Sequence, residues 1–315
     1  MSTSSENSGS RSRSRSIAIV GVGAIGGAVA GDLSDLGHEL ILCSRSPFAK
    51  LVVEHPTGIS TVDAAGASRP SDLAAEVNSN ADWVLLCTKA HDSAAARPWL
   101  DRVCGPHTRV AVLQNGVDHR ERIEPLLPSV LSDASALLPV VVQLPSEKIE
   151  PGRIRQSRDG VLIVSDDDLG RDFASLFDGG RTHVDVREDF FTQTWMKLIS
   201  NATIGGICAL ALQPNRAVAE PGVRDLTLAL MREVALVGRA EGADLPDDAP
   251  EKVLERILRA APDHWSSISV DRREGRPMEC EVRNAVVGRL GRRHGIKTPL
   301  NDMLVALLRA AESSG

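Results

Sequence analysis

Tyrosine is absent from this chain, and the few Phe and Trp residues bring its aromatic share to only 3%. Surfaces that bind nucleic acid by stacking bases need more rings than this. A formal net charge of −6 offers no basic footprint either. No apolar run approaches the roughly 20 residues of a membrane-spanning helix. Neither a nucleic acid nor a membrane is therefore expected as a partner. The five cysteines, Cys43, Cys87, Cys104, Cys208 and Cys280, are scattered, odd in number and without C-x-x-C spacing. That fits neither a disulfide framework nor a metal site, and reads as reduced, buried small hydrophobes in a cytoplasmic protein. Residues 1–16, MSTSSENSGSRSRSRS, lack the apolar segment of a signal peptide and read as a disordered tail.

What is present is an ordinary globular composition, 42% hydrophobic and 25% charged over 315 residues, a length that suits two domains. The chain is organised around Ile17-Ala18-Ile19-Val20, an apolar β-branched run entering Gly21-Val22-Gly23-Ala24-Ile25-Gly26 and leaving into a helical pattern. G-x-G-x-x-G between a strand and a helix is a dinucleotide-binding turn. Gly21 permits the turn, Gly23 lets backbone approach a pyrophosphate, and Gly26 lets helix and strand pack closely. Ala24 and Ile25 open the helix, whose free N–H groups face the phosphates. The helix is predicted to end near Gly37.

Strand ends carry the next candidates, because ligands of such sheets bind outside the carboxyl ends of the strands. The second strand, His38–Cys43, is followed by Ser44-Arg45-Ser46 with no carboxylate to bind a ribose hydroxyl. A guanidinium at Arg45 suits a 2′-phosphate, which favours NADP; the alternative is a solvated surface arginine. Asp82–Thr88 reads as a buried strand ending in Lys89, where a cofactor phosphate would pass. Arg109–Leu113 ends in Gln114-Asn115-Gly116, in which Asn115 either holds cofactor and substrate or simply belongs to an Asn-Gly turn. Residues 51–64 contribute strand material. Residues 128–144 and 152–165 read as later strands of the same sheet, and Ser165–Asp168 as a solvated turn.

From about residue 189 the period becomes helical. One helix runs from Phe190 towards Leu212. Leu226, Leu230, Val234 and Val237 mark a second, Val253, Leu254, Ile257 and Leu258 a third, and Leu300, Met303, Leu304, Leu307 and Leu308 a last one after Pro299. The fold class is thus α/β. A Rossmann-like dinucleotide-binding domain over 17–187 precedes an all-helical domain over 188–315. Lys197 and Asn201 share one helix face at i and i+4. A buried lysine there would donate a proton to a carbonyl under reduction, unless it snorkels to solvent. Glu279 and Glu281 lie near a helix start, and periodicity does not say which faces a cleft.

The ordered set of glycine turn, Ser44-Arg45, Thr88-Lys89-Ala90, Gln114-Asn115-Gly116, Trp195-Met196-Lys197-Leu198-Ile199-Ser200-Asn201, Ser266-Ser267 and Glu279-x-x-x-x-Asn284 resembles the ketopantoate reductase family from Ile17 to about Leu308. The resemblance implies NADPH-dependent reduction of a 2-oxo acid to a 2-hydroxy acid, 2-dehydropantoate to pantoate in pantothenate biosynthesis or a related substrate. It implies that Gly21, Gly23, Ala24, Ile25 and Gly26 hold the pyrophosphate, and that Arg45 and Lys89 read the 2′-phosphate. It further implies Lys197 as general acid, Glu279 as the orienting carboxylate, and Asn115, Asn201, Ser267 and Asn284 as substrate contacts. Two departures alter the pocket. Gly205-Gly206 stands where the family continues with Asn-Pro, and Ala285 stands where it has glycine. A β-hydroxyacid dehydrogenase-like oxidoreductase and a non-catalytic NADPH-binding sensor are the alternatives. No metal is implied. The apolar helix faces would suit a homodimer, though core packing explains them too.

Overall fold

A computed structural model describes residues 14–64, 66–73, 81–131 and 136–313. Residues 1–13 of the expected tail lie outside the described residues, but its last three do not behave as a tail. Arg15 pairs with Asp172 at 3.0 Å, Ser14 Oγ donates to the Gly37 carbonyl, and Ser16 opens the first strand. The sheet edge supplies the partners that order them.

The N-terminal half begins with β1 (Ser16–Val20), α1 (Ala24–Asp35) and β2 (Glu39–Cys43), followed by a hairpin of β3 (Leu51–His55) and β4 (Gly58–Val62). Then come β5 (Trp83–Leu86), α2 (Arg97–Val103), β6 (Arg109–Val112), α3 (His119–Ile123) and β7 (Leu137–Pro139). Five of these strands form a parallel sheet in the order β2-β1-β5-β6-β7. Its inner strands β1, β5 and β6 are almost wholly buried and apolar, as strands covered on both faces must be, while the edge strand β2 is partly exposed. The order reverses at β1, with β2 on one side and β5 on the other. The crevice at that switch point is where the glycine turn lies.

Of the later segments expected to extend this sheet, β7 alone does. β8 (Val141–Gln143) leaves it to pair with β11 (Val161–Ser165), which in turn pairs with β12 (His183–Arg187). β9 (Ser146–Glu150) and β10 (Arg153–Gln156) join the hairpin in a sheet ordered β4-β3-β10-β9. The physical cause is α1. A Cβ on its Gly27 would lie 2.4 Å from Ile154 Cγ1, and one on Gly31 2.7 Å from Val53 Cγ2. The glycines let β3 and β10 press directly onto the helix, so α1 is buried between two sheets and needs no polar face. The acidic run before α4 (Asp168–Ser175) is a cap: Asp167 accepts the Gly170 N–H at 2.7 Å.

No strand follows β12 among the described residues. α5 (Phe190–Ala211) runs through the middle of the second domain, burying Trp195, Leu198, Ile199, Ala202 and Cys208. Around it pack α6 (Pro221–Ala240), α7 (Ala249–Ala260), α8 (Ser267–Arg273), a π-helical turn (Glu281–Ala285), α9 (Val286–Arg293) and α10 (Pro299–Ser313). Three of the residues whose spacing marks these helices are exposed: Leu226 at 37%, Met303 at 47% and Leu307 at 49%. On α10 the buried stripe is Asn301, Leu304, Val305 and Leu308. An apolar count passes over Asn301, but its Nδ2 donates to Glu233 at 2.8 Å and to the Leu230 carbonyl at 3.3 Å, which helps to admit it inside.

Candidate active site

The glycine turn is tied to β2 by Gly21 N–H donating to the Cys43 carbonyl at 2.9 Å. Gly21 has φ +102°, and a Cβ there would meet Thr88 N at 2.7 Å. A Cβ on Gly26 would lie 2.2 Å from the Gly21 carbonyl oxygen. At Gly23 there is nothing within 4 Å, and no side chain caps α1. The turn therefore has two glycines that the fold demands and one whose open side leaves the N–H groups of α1, with Ala24 and Ile25 half-buried beside them, free to meet an anion. Arg45 stands at the end of β2, 84% exposed, with Nη1 3.0 Å from Asp92. These residues fit a dinucleotide carrying a 2′-phosphate.

Lys89 is placed differently from the expectation that it joins Arg45 at the phosphate. Its ammonium crosses to the helical domain, 2.7 Å from Asp271 and 3.7 Å from Glu279. Those two carboxylates are buried and therefore attract a cation more strongly than the exposed ground around Arg45. At Asn115 the Asn-Gly turn is formed, and its side chain reaches the helical domain. Gly116 adopts φ +114° in a true turn, while Asn115 Nδ2 donates to Glu279 at 2.9 Å. His119 and Arg122, which the motifs did not single out, hold that turn. His119 Nε2 donates to the Gln114 carbonyl at 2.9 Å; Arg122 reaches Asp118, Gln114 Oε1 and the Asn115 carbonyl. Burial pushes the His119 pKa down to about 4, so it is neutral at pH 7.

Across this turn, α5 presents Lys197 and Asn201 into a narrow cleft shared with Gln114, Asn115, His119 and Val141. The Lys197 residue as a whole is half-buried, but its ammonium is turned inward and donates to the Val142 carbonyl at 2.5 Å. Burial first and the Arg283 cation second lower its pKa to about 7, against the opposing pull of Glu279. Asn201 Nδ2 lies 3.4 Å from Asn115 Oδ1 and extends the polar chain from one domain to the other.

Glu279 turns towards the first domain, accepting from the Ala90 N–H and the Asn115 amide, whereas Glu281 points to solvent and pairs with Arg309. Burial would raise the Glu279 pKa, but Arg283, Lys89, the Ala90 N–H at 3.0 Å and the Asn115 amide outweigh it and hold the value at about 2. Arg283, one helical turn on, is buried and donates from Nη2 to Ser267 Oγ at 2.7 Å. Its i+4 spacing from Glu279 was the available sequence signal, as Arg122 is i+4 from Asp118. Ser267 is exposed at the start of α8, and Ser266 caps that helix. Asn284 is not brought to the cleft. It is fully buried, and its Nδ2 donates to the Ala202 carbonyl on α5. The cause lies opposite: a Cβ on Gly206 would come within 3.2 Å of Nδ2, so the glycine lets this amide clamp the two helices together.

Comparison with known proteins agrees with this geometry. Residues 17–168 match the family described as "Ketopantoate reductase PanE/ApbA", and residues 189–312 match its C-terminal part. The chain is 42% identical to the 2-dehydropantoate 2-reductase of Caulobacter vibrioides, over 93% of this chain and 98% of that protein. Its structure is similar to the PanE/ApbA family ketopantoate reductase from Ralstonia eutropha JMP134, with TM-score 0.84, 29% identity, and 95% and 98% of the two chains covered. The dimeric ketopantoate reductase from Staphylococcus aureus, 23% identical, shares the fold with TM-score 0.82 over 95% and 99% of the chains. Two matching family segments and an identity of 42% over nearly the whole length show that this chain belongs to the ketopantoate reductase family.

Proposed function

We propose that the protein reduces a 2-oxo acid to the 2-hydroxy acid with NADPH, 2-dehydropantoate to pantoate being the first substrate to test. The observation that carries this reading is Lys197: an ammonium with a pKa of about 7, turned into a cleft between the two domains and flanked by amides. An acid poised near the working pH both holds its proton and releases it readily. Bound NADPH supplies the hydride. As charge develops on the substrate oxygen, Lys197 Nζ leaves the Val142 carbonyl, stabilises that charge and delivers its proton. Asn115 stays oriented because Glu279 accepts from its Nδ2 and Asn201 donates to its Oδ1. Ionised Glu279 thus fixes the amide and supports the lysine's charge without itself titrating near neutrality.

In this reading residues 17–187 hold the cofactor and residues 188–315 supply the proton donor. The location is the cytoplasm, and the active form is a homodimer, as in the Staphylococcus aureus protein. The test is NADPH consumption, followed by absorbance, with 2-dehydropantoate and a panel of other 2-oxo acids. Wild type should turn over at least one of them. Lys197→Ala should abolish turnover while NADPH still binds in a fluorescence titration. Wild type that binds NADPH and reduces none of the panel would instead be a sensor. A preference for NADH would remove Arg45 from the scheme.

A further inference from the structure

No carboxylate follows β2 in the sequence, but the fold delivers one from elsewhere. Asp92 lies in the 3₁₀ turn Ala90–Ala96 that follows β5, and its Oδ2 stands 3.0 Å from Arg45 Nη1. In the sheet β1 lies between β2 and β5, so this pair reaches across the carboxyl end of β1, beyond which the glycine turn begins. A carboxylate at that place is the group that accepts a ribose 2′-hydroxyl, whereas an arginine there suits a 2′-phosphate. Here both are present, and they touch.

The two partners are held very differently. Arg45 is exposed, and a pair made by such a long, solvated side chain is easily given up. Asp92 is only 28% exposed, and its turn is pinned. Its N–H donates to the Lys89 carbonyl at 2.9 Å. The next residue, Ser93, is buried, with Oγ donating to the Ala90 carbonyl at 2.8 Å and accepting from the Gln114 amide at 2.9 Å. Glu279 holds the Ala90 N–H from the other domain. Arg45 is therefore free to swing to a ligand, while the carboxylate stays where it is.

The charges point the same way. Lys89, the second cation expected at a 2′-phosphate, is turned away to Asp271 and Glu279. What remains is one guanidinium and one carboxylate, which cancel, with His91 Nε2 3.9 Å from the carboxylate. A phosphate that reaches Arg45 brings its own negative charge close to a fixed Asp92. A hydroxyl brings a donor that the same carboxylate accepts.

We propose that Asp92 sets cofactor discrimination in this protein: its carboxylate accepts the ribose 2′-hydroxyl of NADH and opposes the 2′-phosphate of NADPH. The protein then binds both cofactors and prefers NADPH only modestly, through Arg45. The inference rests on the reading of Arg45 as the phosphate ligand and adds a counterweight to it.

The test is binding without turnover: Kd for NADPH and NADH, by fluorescence titration of wild type, Asp92→Asn, Asp92→Ala and Arg45→Ala. Wild type should bind both, NADPH about 10-fold tighter. Both Asp92 variants should bind NADPH about 10-fold tighter than wild type, because a like charge has been removed. Asp92→Ala should bind NADH about 10-fold more weakly, the scale of one hydrogen bond to a charged group. Asp92→Asn keeps an acceptor oxygen and should lose less. Arg45→Ala should prefer NADH, since Asp92 then meets the phosphate unopposed. Calorimetry with adenosine 2′,5′-bisphosphate and adenosine 5′-monophosphate should reproduce the Asp92 effects, which places them at the adenosine ribose; effects confined to the whole cofactors overturn the proposal. A preference for NADPH that moves less than about threefold in Asp92→Ala also overturns it. So does a preference that falls, which would make Asp92 a support that merely orients Arg45. If instead Arg45→Ala leaves NADPH affinity unchanged, the reading of Arg45 fails, and the 5′-monophosphate judges Asp92 alone: weaker binding in Asp92→Ala supports it and unchanged binding refutes it.

Discussion

A methyl group added at Gly26 would sit 2.2 Å from the Gly21 carbonyl oxygen, whereas one added at Gly23 meets nothing within 4 Å. Gly26→Ala should therefore lower the melting temperature clearly. Gly23→Val should cost only about 1 kcal/mol, the difference between glycine and a poor capping residue at the α1 N-cap. It should nevertheless weaken NADPH binding by about 10-fold or more, since the side chain occupies the side where a pyrophosphate approaches. Thermal melts and fluorescence titrations separate the two effects. At Lys197 the separation is between charge and chemistry. The groups facing its ammonium are Arg283, Glu279 and neutral His119, none of which changes charge between about pH 6 and 9. Turnover should thus fall above a pKa of about 7, roughly tenfold per pH unit once the proton is lost. Stability runs the other way. The native pKa lies below the ordinary lysine value of 10.5, so between about 7 and 10.5 the unfolded chain binds more protons and native stability rises with pH. Below about pH 7 the full cost of burying the charge is present. Lys197→Met should be inactive yet melt higher than wild type at pH 6. A lower melting temperature would mean that the Val142 carbonyl already compensates the charge.

α10 begins with its N–H groups facing another helix rather than water. Glu233 on α6 accepts from the Leu300 N–H at 3.0 Å, from the Asn301 N–H at 2.9 Å and from the Asn301 amide at 2.8 Å. It acts as a cap supplied from elsewhere in the chain. Glu233→Ala should cost about 1–2 kcal/mol in a urea titration and leave NADPH affinity unchanged. This element also shows where sequence reading stops. Pro299 after Thr298 and the apolar spacing locate α10 itself, but which residues of the stripe face inward depends on Asn301 finding Glu233, 68 residues away. The same holds at the site. The strand ends were legible, because Gly21, Arg45, Lys89 and Asn115 all follow apolar runs that must be parallel strands. The direction in which Lys89 reaches was not legible, since its partners Asp271 and Glu279 lie on another domain. The choice between Glu279 and Glu281 is made by partners far away in the chain, the Ala90 N–H and the Asn115 amide, of which the local sequence gives no warning. Alternation shows that a later strand exists but not which sheet it joins: β3 pairing with β10 brings together Val53 and Ile154, about 100 residues apart in the chain.

The two domains meet through polar contacts around the cleft. Lys89 reaches Asp271, Glu279 reaches Ala90 and Asn115, and α9 reaches α3 through Arg289 to Asp118 and Glu121 and Arg293 to Glu121, the last at 2.8 Å. A contact built partly from ion pairs, beside the packing of Val117 on the helical core, permits one domain to move against the other. Arg289 and Arg293 are partly exposed and contact the first domain through Asp118 and Glu121, neither of which lines the cleft around Lys197. Removing both as Arg289→Ala/Arg293→Ala should raise KM for the 2-oxo acid about three- to tenfold, the worth of one or two surface pairs with one partner, Asp118, buried. NADPH affinity should be unchanged, because the groups proposed to bind it all lie in the first domain. Salt gives an independent control. Ion pairs at this depth weaken as ionic strength rises, so wild-type KM should climb between about 0.05 and 0.5 M salt. The double variant, lacking the pairs, should start high and climb less. If salt raises both KM values in proportion, the α3–α9 contact contributes nothing to closing the cleft, which then rests on the contacts made by Lys89, Asn115, Lys197 and Glu279.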